Sequence, residues 1–133
     1  MSALEIVTRH YDASARGDLA AMTADFAPDI TWTEAAGYVI SGTFTGTEAI
    51  IEGVFGATAG TWEDFRVVPD RIIADEAQGT VIMVGTYTAT HRDTRQALDM
   101  RAVHVWTVKD ERITAFEQVC DSHLAQLAAI SAG

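Results

Sequence analysis

The chain has 133 residues, 48% of them hydrophobic and 21% charged, which supplies one packed core and leaves little room for a second domain. Nine Lys and Arg stand against nineteen Asp and Glu, a formal charge of −10. That charge repels phosphate backbones and anionic headgroups and argues against nucleic acid or a membrane surface as partner. The single cysteine, Cys120, excludes an internal disulfide and a multi-cysteine zinc site. The first residues lack a basic segment followed by an apolar run, and no apolar stretch is long enough to span a bilayer. The expectation is a soluble cytoplasmic protein, one domain over residues 1–133.

Residues 3–16 read as a helix, with Leu4, Val7, Tyr11 and Ser14 on one stripe and Ile6 and His10 beside it. Gly17 suits the helix end, and Asp18 the N-cap of a second helix over 19–26. That helix turns Leu19, Met22 and Phe26 inward and is stopped by Pro28. The period then changes to two: Ile30, Trp32 and Glu34 share one strand face and Thr31 and Thr33 the other. Ala35-Ala36-Gly37 turns the chain, and a glycine-spaced stretch, 42–46, follows. Thr47 reads as the N-cap of a third helix reaching about Ala57. Four strands complete the chain, over 62–74 with Pro69 at a bulge or edge, 79–91, 95–108 and 113–122. A short helix over 123–130 follows. The order α-α-β-α-β-β-β-β gives an α+β fold: a cone-shaped, strongly curved, mostly antiparallel sheet wrapped around the N-terminal helix, with one pocket between them.

Glu34 shares its face with Ile30 and Trp32. On an apolar face its carboxyl loses hydration and its pKa rises toward the range of a general base; at a wet strand end it is an ordinary solvated acid. His104 lies in Val103-His104-Val105-Trp106, a strand apolar on both faces. It is either a donor or proton shuttle in a pocket or a core histidine bonded to a neighbour. His10 and Tyr11 reach under the first helix, where Tyr11 also serves as plain packing. Gln118 and Cys120 share a face with Phe116, and Cys120 reads as a small buried apolar residue. Asp99, Arg101 and Asp121 form a candidate charged cluster or exposed ion pairs. His91 and His123 fall at element ends and read as solvated. No phosphate loop, dinucleotide fingerprint, nucleophile elbow or His-Glu-x-x-His is present.

The order of elements, with Gly17-Asp18-Leu19, Asp25-Phe26-Ala27-Pro28-Asp29, Trp32-Thr33-Glu34, Gly46-Thr47-Glu48-Ala49-Ile50 and Val103-His104-Val105-Trp106, resembles the SnoaL-like and ketosteroid-isomerase-like branch of the nuclear transport factor two-like superfamily. The resemblance runs from about Leu4 to Asp121. It implies a curved-sheet cone with one deep pocket, often a homodimer packed through the sheet. It further implies that Glu34 stands where the isomerases carry their general-base aspartate. His10 stands at their first-helix tyrosine and His104 near their second oxyanion donor. Gln118 falls where the polyketide cyclases carry an acid/base aspartate, so neither named activity carries over whole.

The reading that follows is an enzyme, isomerase- or cyclase-like, moving a proton beside the carbonyl of an apolar ketone. Glu34 is its base and His104 its donor, assisted by His10 or Tyr11, and no cofactor or metal is required. Trp32, Phe55, Val81, Met83, Tyr87, Trp106, Phe116 and Gln118 wall the pocket. The alternative is a non-catalytic ligand-binding or dimerisation module of the same fold. A metal site of His10, His104 and Glu34 is a third reading. Val103, Val105, Ile82 and Val84, on the face away from the pocket, are expected to pack a symmetric homodimer. Glu34 is expected to be desolvated and unpaired rather than in an ion pair with protonated His104.

Overall fold

Helix α1 (Ala3–Arg16) begins at a reciprocal cap: the Ser2 hydroxyl accepts from the Glu5 N–H, and the Glu5 carboxylate accepts from the Ser2 N–H. It ends at Gly17 with φ 69°, the left-handed closure that glycine permits. A computed structural model, describing residues 1–130, gives the architecture. The buried stripe of α1 runs through Ala3, Ile6, Val7, His10, Tyr11 and Ala13. It is centred one position away from the expected one, so Leu4 is exposed.

Asp18 caps α2 (Leu19–Thr23) by accepting from the Ala21 N–H. This helix is shorter than expected: Phe26 opens strand β1 (Phe26–Glu34) and Pro28 lies inside that strand instead of stopping a helix. The register with the neighbouring strand shifts between Phe26 and Thr31, so the missing N–H of Pro28 falls in an irregular stretch. Leu19 is exposed, Met22 half-buried and Phe26 buried.

The glycine-spaced stretch contains a strand that the sequence pattern did not reveal, β2 (Gly42–Thr45), antiparallel to β1 with Glu34 opposite Gly42. The following helical segment runs as α3 (Thr47–Ile50), a π-helical turn (Ile51–Gly56) and α4 (Ala57–Thr61). It is capped by Gly46, not Thr47, and without a side-chain bond. Gly53 lies where a Cβ would stand 2.3 Å from the Phe44 ring, so a larger residue there would have to displace that ring from the π-turn.

Strands β3 (Trp62–Asp75), β4 (Thr80–His91), β5 (Ala97–Lys109) and β6 (Arg112–Cys120), with β1 and β2, form a six-stranded curved sheet of order β2-β1-β6-β5-β4-β3. One strand more than expected is present. All pairs are antiparallel except β1 with β6. The register of β3 shifts between Pro69 and Arg71, on an edge strand, as proline requires. Helix α5 (Ser122–Ala128) closes the end.

Strict alternation on β4 and β5 sends Val81, Met83, Tyr87, Met100, His104 and Trp106 inward. Ile82, Val84, Val103 and Val105 face outward and are half-buried. One cluster of the core gathers under α1 around Trp32, Trp106 and Phe116; another gathers near α5 around Trp62, Leu98 and Met100. No described helix is long and apolar enough to cross a membrane.

Candidate active site

Between α1, the α3–α4 segment and the concave face of the sheet lies a cavity of about 320 Å³. The sequence-predicted residues His10, Tyr11, Trp32, Glu34, Phe55, Tyr87, His104, Trp106, Phe116 and Gln118 all line it. Val81 and Met83, expected on its wall, do not: they share the inward face of β4 but lie at its α1-covered end, fully buried in core packing. Tyr38, Trp62 and Phe65 line it as well and were not foreseen. Their only sequence signal was burial-seeking aromatics next to turns.

Glu34 ends β1 on the inward face behind Trp32, whose ring stacks on Phe116 at 3.7 Å between centroids. The Trp32 indole N–H donates to Glu34 Oε1 at 3.0 Å. Glu34 Oε2 is buried with no hydrogen-bond partner among the described residues. Burial disfavours the charged form and pushes the carboxyl up to about 7, and the indole donor offsets only part of that. A carboxyl so placed is half ionised near neutrality and keeps one oxygen without a hydrogen-bond partner. Trp32→Phe keeps the stacking surface but deletes the donor. The carboxyl-carbon NMR titration of Glu34 in that variant is expected to move above 7, and an unchanged or lower midpoint contradicts the assignment.

His104 is enclosed on both sides. Its Nδ1 is 2.7 Å from the Tyr11 hydroxyl, and its Nε2 is hydrogen-bonded to the Tyr87 hydroxyl. The outer ends of this string are fixed. The Trp106 indole N–H donates to the Tyr11 oxygen at 2.7 Å, and the Gln118 amide N–H donates to the Tyr87 oxygen at 3.1 Å. Gln118 is oriented by its own carbonyl, which accepts from the Ala35 backbone N–H at 3.1 Å. Burial drives the His104 pKa down to about 3, so its ring is neutral. Both ring nitrogens are engaged, one by each tyrosine hydroxyl, and His104 therefore has no free N–H for the ligand oxygen that the sequence reading gave it.

His10 is also neutral, pushed down to about 4 by burial. Its Nδ1–H donates to the Met22 carbonyl at 2.9 Å, which leaves Nε2 with a lone pair and no proton. His10 therefore has no N–H left for the donor role that the sequence reading offered it or Tyr11. The metal reading fails on the same facts. His104 has no lone pair open to a metal, and among the described residues no three His, Cys, Asp or Glu side chains form a metal-holding group.

Residues outside the cavity also depart from expectation. His91 is buried rather than solvated, and its Nδ1 accepts from the Asp93 and Thr94 N–H groups to fasten the β4–β5 turn. Arg101 pairs with Asp70 across the sheet, with Thr86 at 3.0 Å, rather than with Asp99 or Asp121. Cys120 is half-buried with its Sγ 3.7 Å from Gln118 Oε1. His123 is exposed, as expected.

Residues 7–116 match the SnoaL-like domain family. An NTF2-like protein of Burkholderia thailandensis superposes with a TM-score of 0.94 at 38% identity, over 98% of each chain. An uncharacterised protein of Mycobacterium tuberculosis is 30% identical over 115 residues, 86% of each chain. A putative SnoaL-like polyketide cyclase of Shewanella denitrificans shares the fold with a TM-score of 0.77 over 95% of each chain, at 12% identity. The chain belongs to the SnoaL-like family and has the NTF2-like fold, whose members include isomerase-like and cyclase-like proteins.

Proposed function

We propose that this protein is a cofactor-independent acid/base catalyst that moves a proton next to the carbonyl of an apolar ketone. The observation that carries the reading is Glu34: a buried carboxyl with one unpartnered oxygen, in an aromatic-lined cavity that also holds tyrosine hydroxyls. The ionised carboxylate takes a proton from the carbon next to the carbonyl. The C–H electron pair forms the new C=C bond, and the carbonyl π pair moves onto oxygen as an enolate. A tyrosine hydroxyl donates to that oxygen, where a preoriented donor in an apolar site counts for most. Glu34 then returns its proton to the same carbon or to another, giving exchange or isomerisation.

The reading is tested with 2-tetralone, an apolar ketone with acidic hydrogens beside its carbonyl. The protein in D₂O is expected to speed deuterium uptake at those positions, followed by NMR, above the rate in buffer alone. Binding of 2-tetralone without faster uptake favours the alternative, a ligand-binding module of the same fold.

For the outer sheet face, with Ile82, Val84, Val103 and Val105 side by side on β4 and β5, the proposal is cover by a second copy of the chain. Sedimentation at micromolar concentration is expected to give twice the chain mass of 14.3 kDa; a single species at the chain mass contradicts it.

A further inference from the structure

The string Trp106–Tyr11–His104–Tyr87–Gln118 has more protons than places to put them. Its two ends are donors only: the indole N–H on the Tyr11 oxygen, and the amide N–H on the Tyr87 oxygen, whose orientation the Ala35 N–H enforces. Neither phenol can therefore give its proton outward. Between them stands one imidazole, with at most one lone pair. Two phenol protons face a single acceptor, so at least one of them has no acceptor among the described residues. Both phenols line the cavity, and a buried O–H without a partner is costly unless a ligand or water takes it.

Resting on the reading of this cavity as a carbonyl site, we propose that His104 is a positioning residue whose tautomer selects which of Tyr11 and Tyr87 donates to the oxygen of the bound ligand. With the proton on Nδ1, the ring donates to the Tyr11 oxygen and accepts the Tyr87 proton, and the Tyr11 O–H is free for the ligand. With the proton on Nε2 the roles exchange, and the Tyr87 O–H is free. No net charge appears in either state, which suits a ring with no carboxylate bonded to it. The ligand is accordingly one that presents an acceptor oxygen, a carbonyl or its enolate, to either of two positions in the cavity. Tyr38 is a separate donor. Its oxygen accepts from the Trp62 indole N–H at 3.1 Å, and its own proton is independent of His104.

The test is ¹⁵N NMR of the imidazole rings in ligand-free protein near pH 7.5, with His104 assigned by its loss in His104→Gln. Wild type is expected to show a neutral His104 with one ring N–H. In Tyr87→Phe the only hydroxyl oxygen left to accept the ring N–H faces Nδ1, so His104 is expected to be the Nδ1–H tautomer with the Tyr11 proton turned to the cavity; in Tyr11→Phe the remaining oxygen faces Nε2 and the Nε2–H tautomer is expected. The same tautomer in both variants overturns the proposal, and so does a doubly protonated ring in wild type, which is read even where a variant fails to fold. A second readout uses 2-tetralone exchange. Each single variant is expected to stay within about tenfold of wild type, because the other phenol takes over. The double variant is expected to fall by about 100-fold or more, the usual loss for an oxyanion donor. A double variant no slower than the slower single variant assigns the oxygen to Tyr38 and overturns the proposal. The tautomer result stands without any turnover, so failure of the selector and failure of the catalytic reading are told apart.

Discussion

Glu34→Gln is expected to lower protein-catalysed deuterium uptake by 2-tetralone about 10²- to 10⁴-fold, the range a positioned general base contributes. The amide keeps the shape of the side chain and still accepts from the Trp32 indole N–H, so the cavity and ligand binding are retained. What it removes is the lone pair that receives the proton. The loss should therefore fall on the catalytic rate and leave the affinity for 2-tetralone nearly unchanged, which separates a base from a binding contact. Turnover within a few-fold of wild type would rule out the base role.

The same substitution should raise stability, with a pH dependence of definite sign. Unfolded, the Glu34 carboxyl titrates near its ordinary 4.5; folded, it titrates at about 7. Below the lower value both states hold the proton, and Glu and Gln behave alike. Between the two values the unfolded chain releases a proton that the folded chain retains, so wild-type stability falls as pH rises. Above about 7 the folded chain bears a buried carboxylate at full cost. A displacement from 4.5 to about 7 corresponds to roughly 3 kcal/mol. Glu34→Gln should gain of that order above neutrality and little near pH 5. His10 and His104 work in the opposite sense. Burial holds both below their ordinary value of 6.5, so they contribute stability above 6.5 that is lost as pH falls. They are common to both proteins and cancel in the difference. Thermal unfolding of the two proteins from pH 5 to 9 provides the comparison. A Gln variant less stable than wild type throughout would mean that the carboxylate is paired with a cationic His104, an arrangement the two tyrosines on that ring leave no room for.

Where alternation was strong, sequence periodicity carried over into structure. The inward set of β4 and β5 and the face shared by Ile30, Trp32 and Glu34 follow from period two alone. Pro28 misled because proline stops helices and also sits in irregular strands, and only the register against β6 distinguishes the two. The strand Gly42–Thr45 was hidden because its residues are exposed or half-buried and its partner, β1, decides its conformation. At the site, Glu34 was legible because Trp32 and Ile30, two and four positions before it on the same strand face, define its environment. The roles of His10 and His104 were not. They depend on hydrogen bonds to Met22, Tyr11 and Tyr87, as far as 93 residues away along the chain. Tyr38 follows a turn, where no periodicity indicates a face. Val81, Met83 and Tyr87 share one face of β4, and period two does not distinguish the end packed in the core under α1 from the end that reaches the cavity.

The claim on which the rest depends is that burial, uncompensated by any cation, brings the Glu34 carboxyl to neutrality. The direct measurement is the titration of its side-chain carboxyl carbon by NMR in wild-type protein, with the resonance assigned by its loss in Glu34→Gln. A midpoint near 7 is the predicted result. A midpoint at or below the ordinary 4.5 would mean that the carboxylate is solvated or paired, and would contradict both the base role and the stability gain expected from removing it.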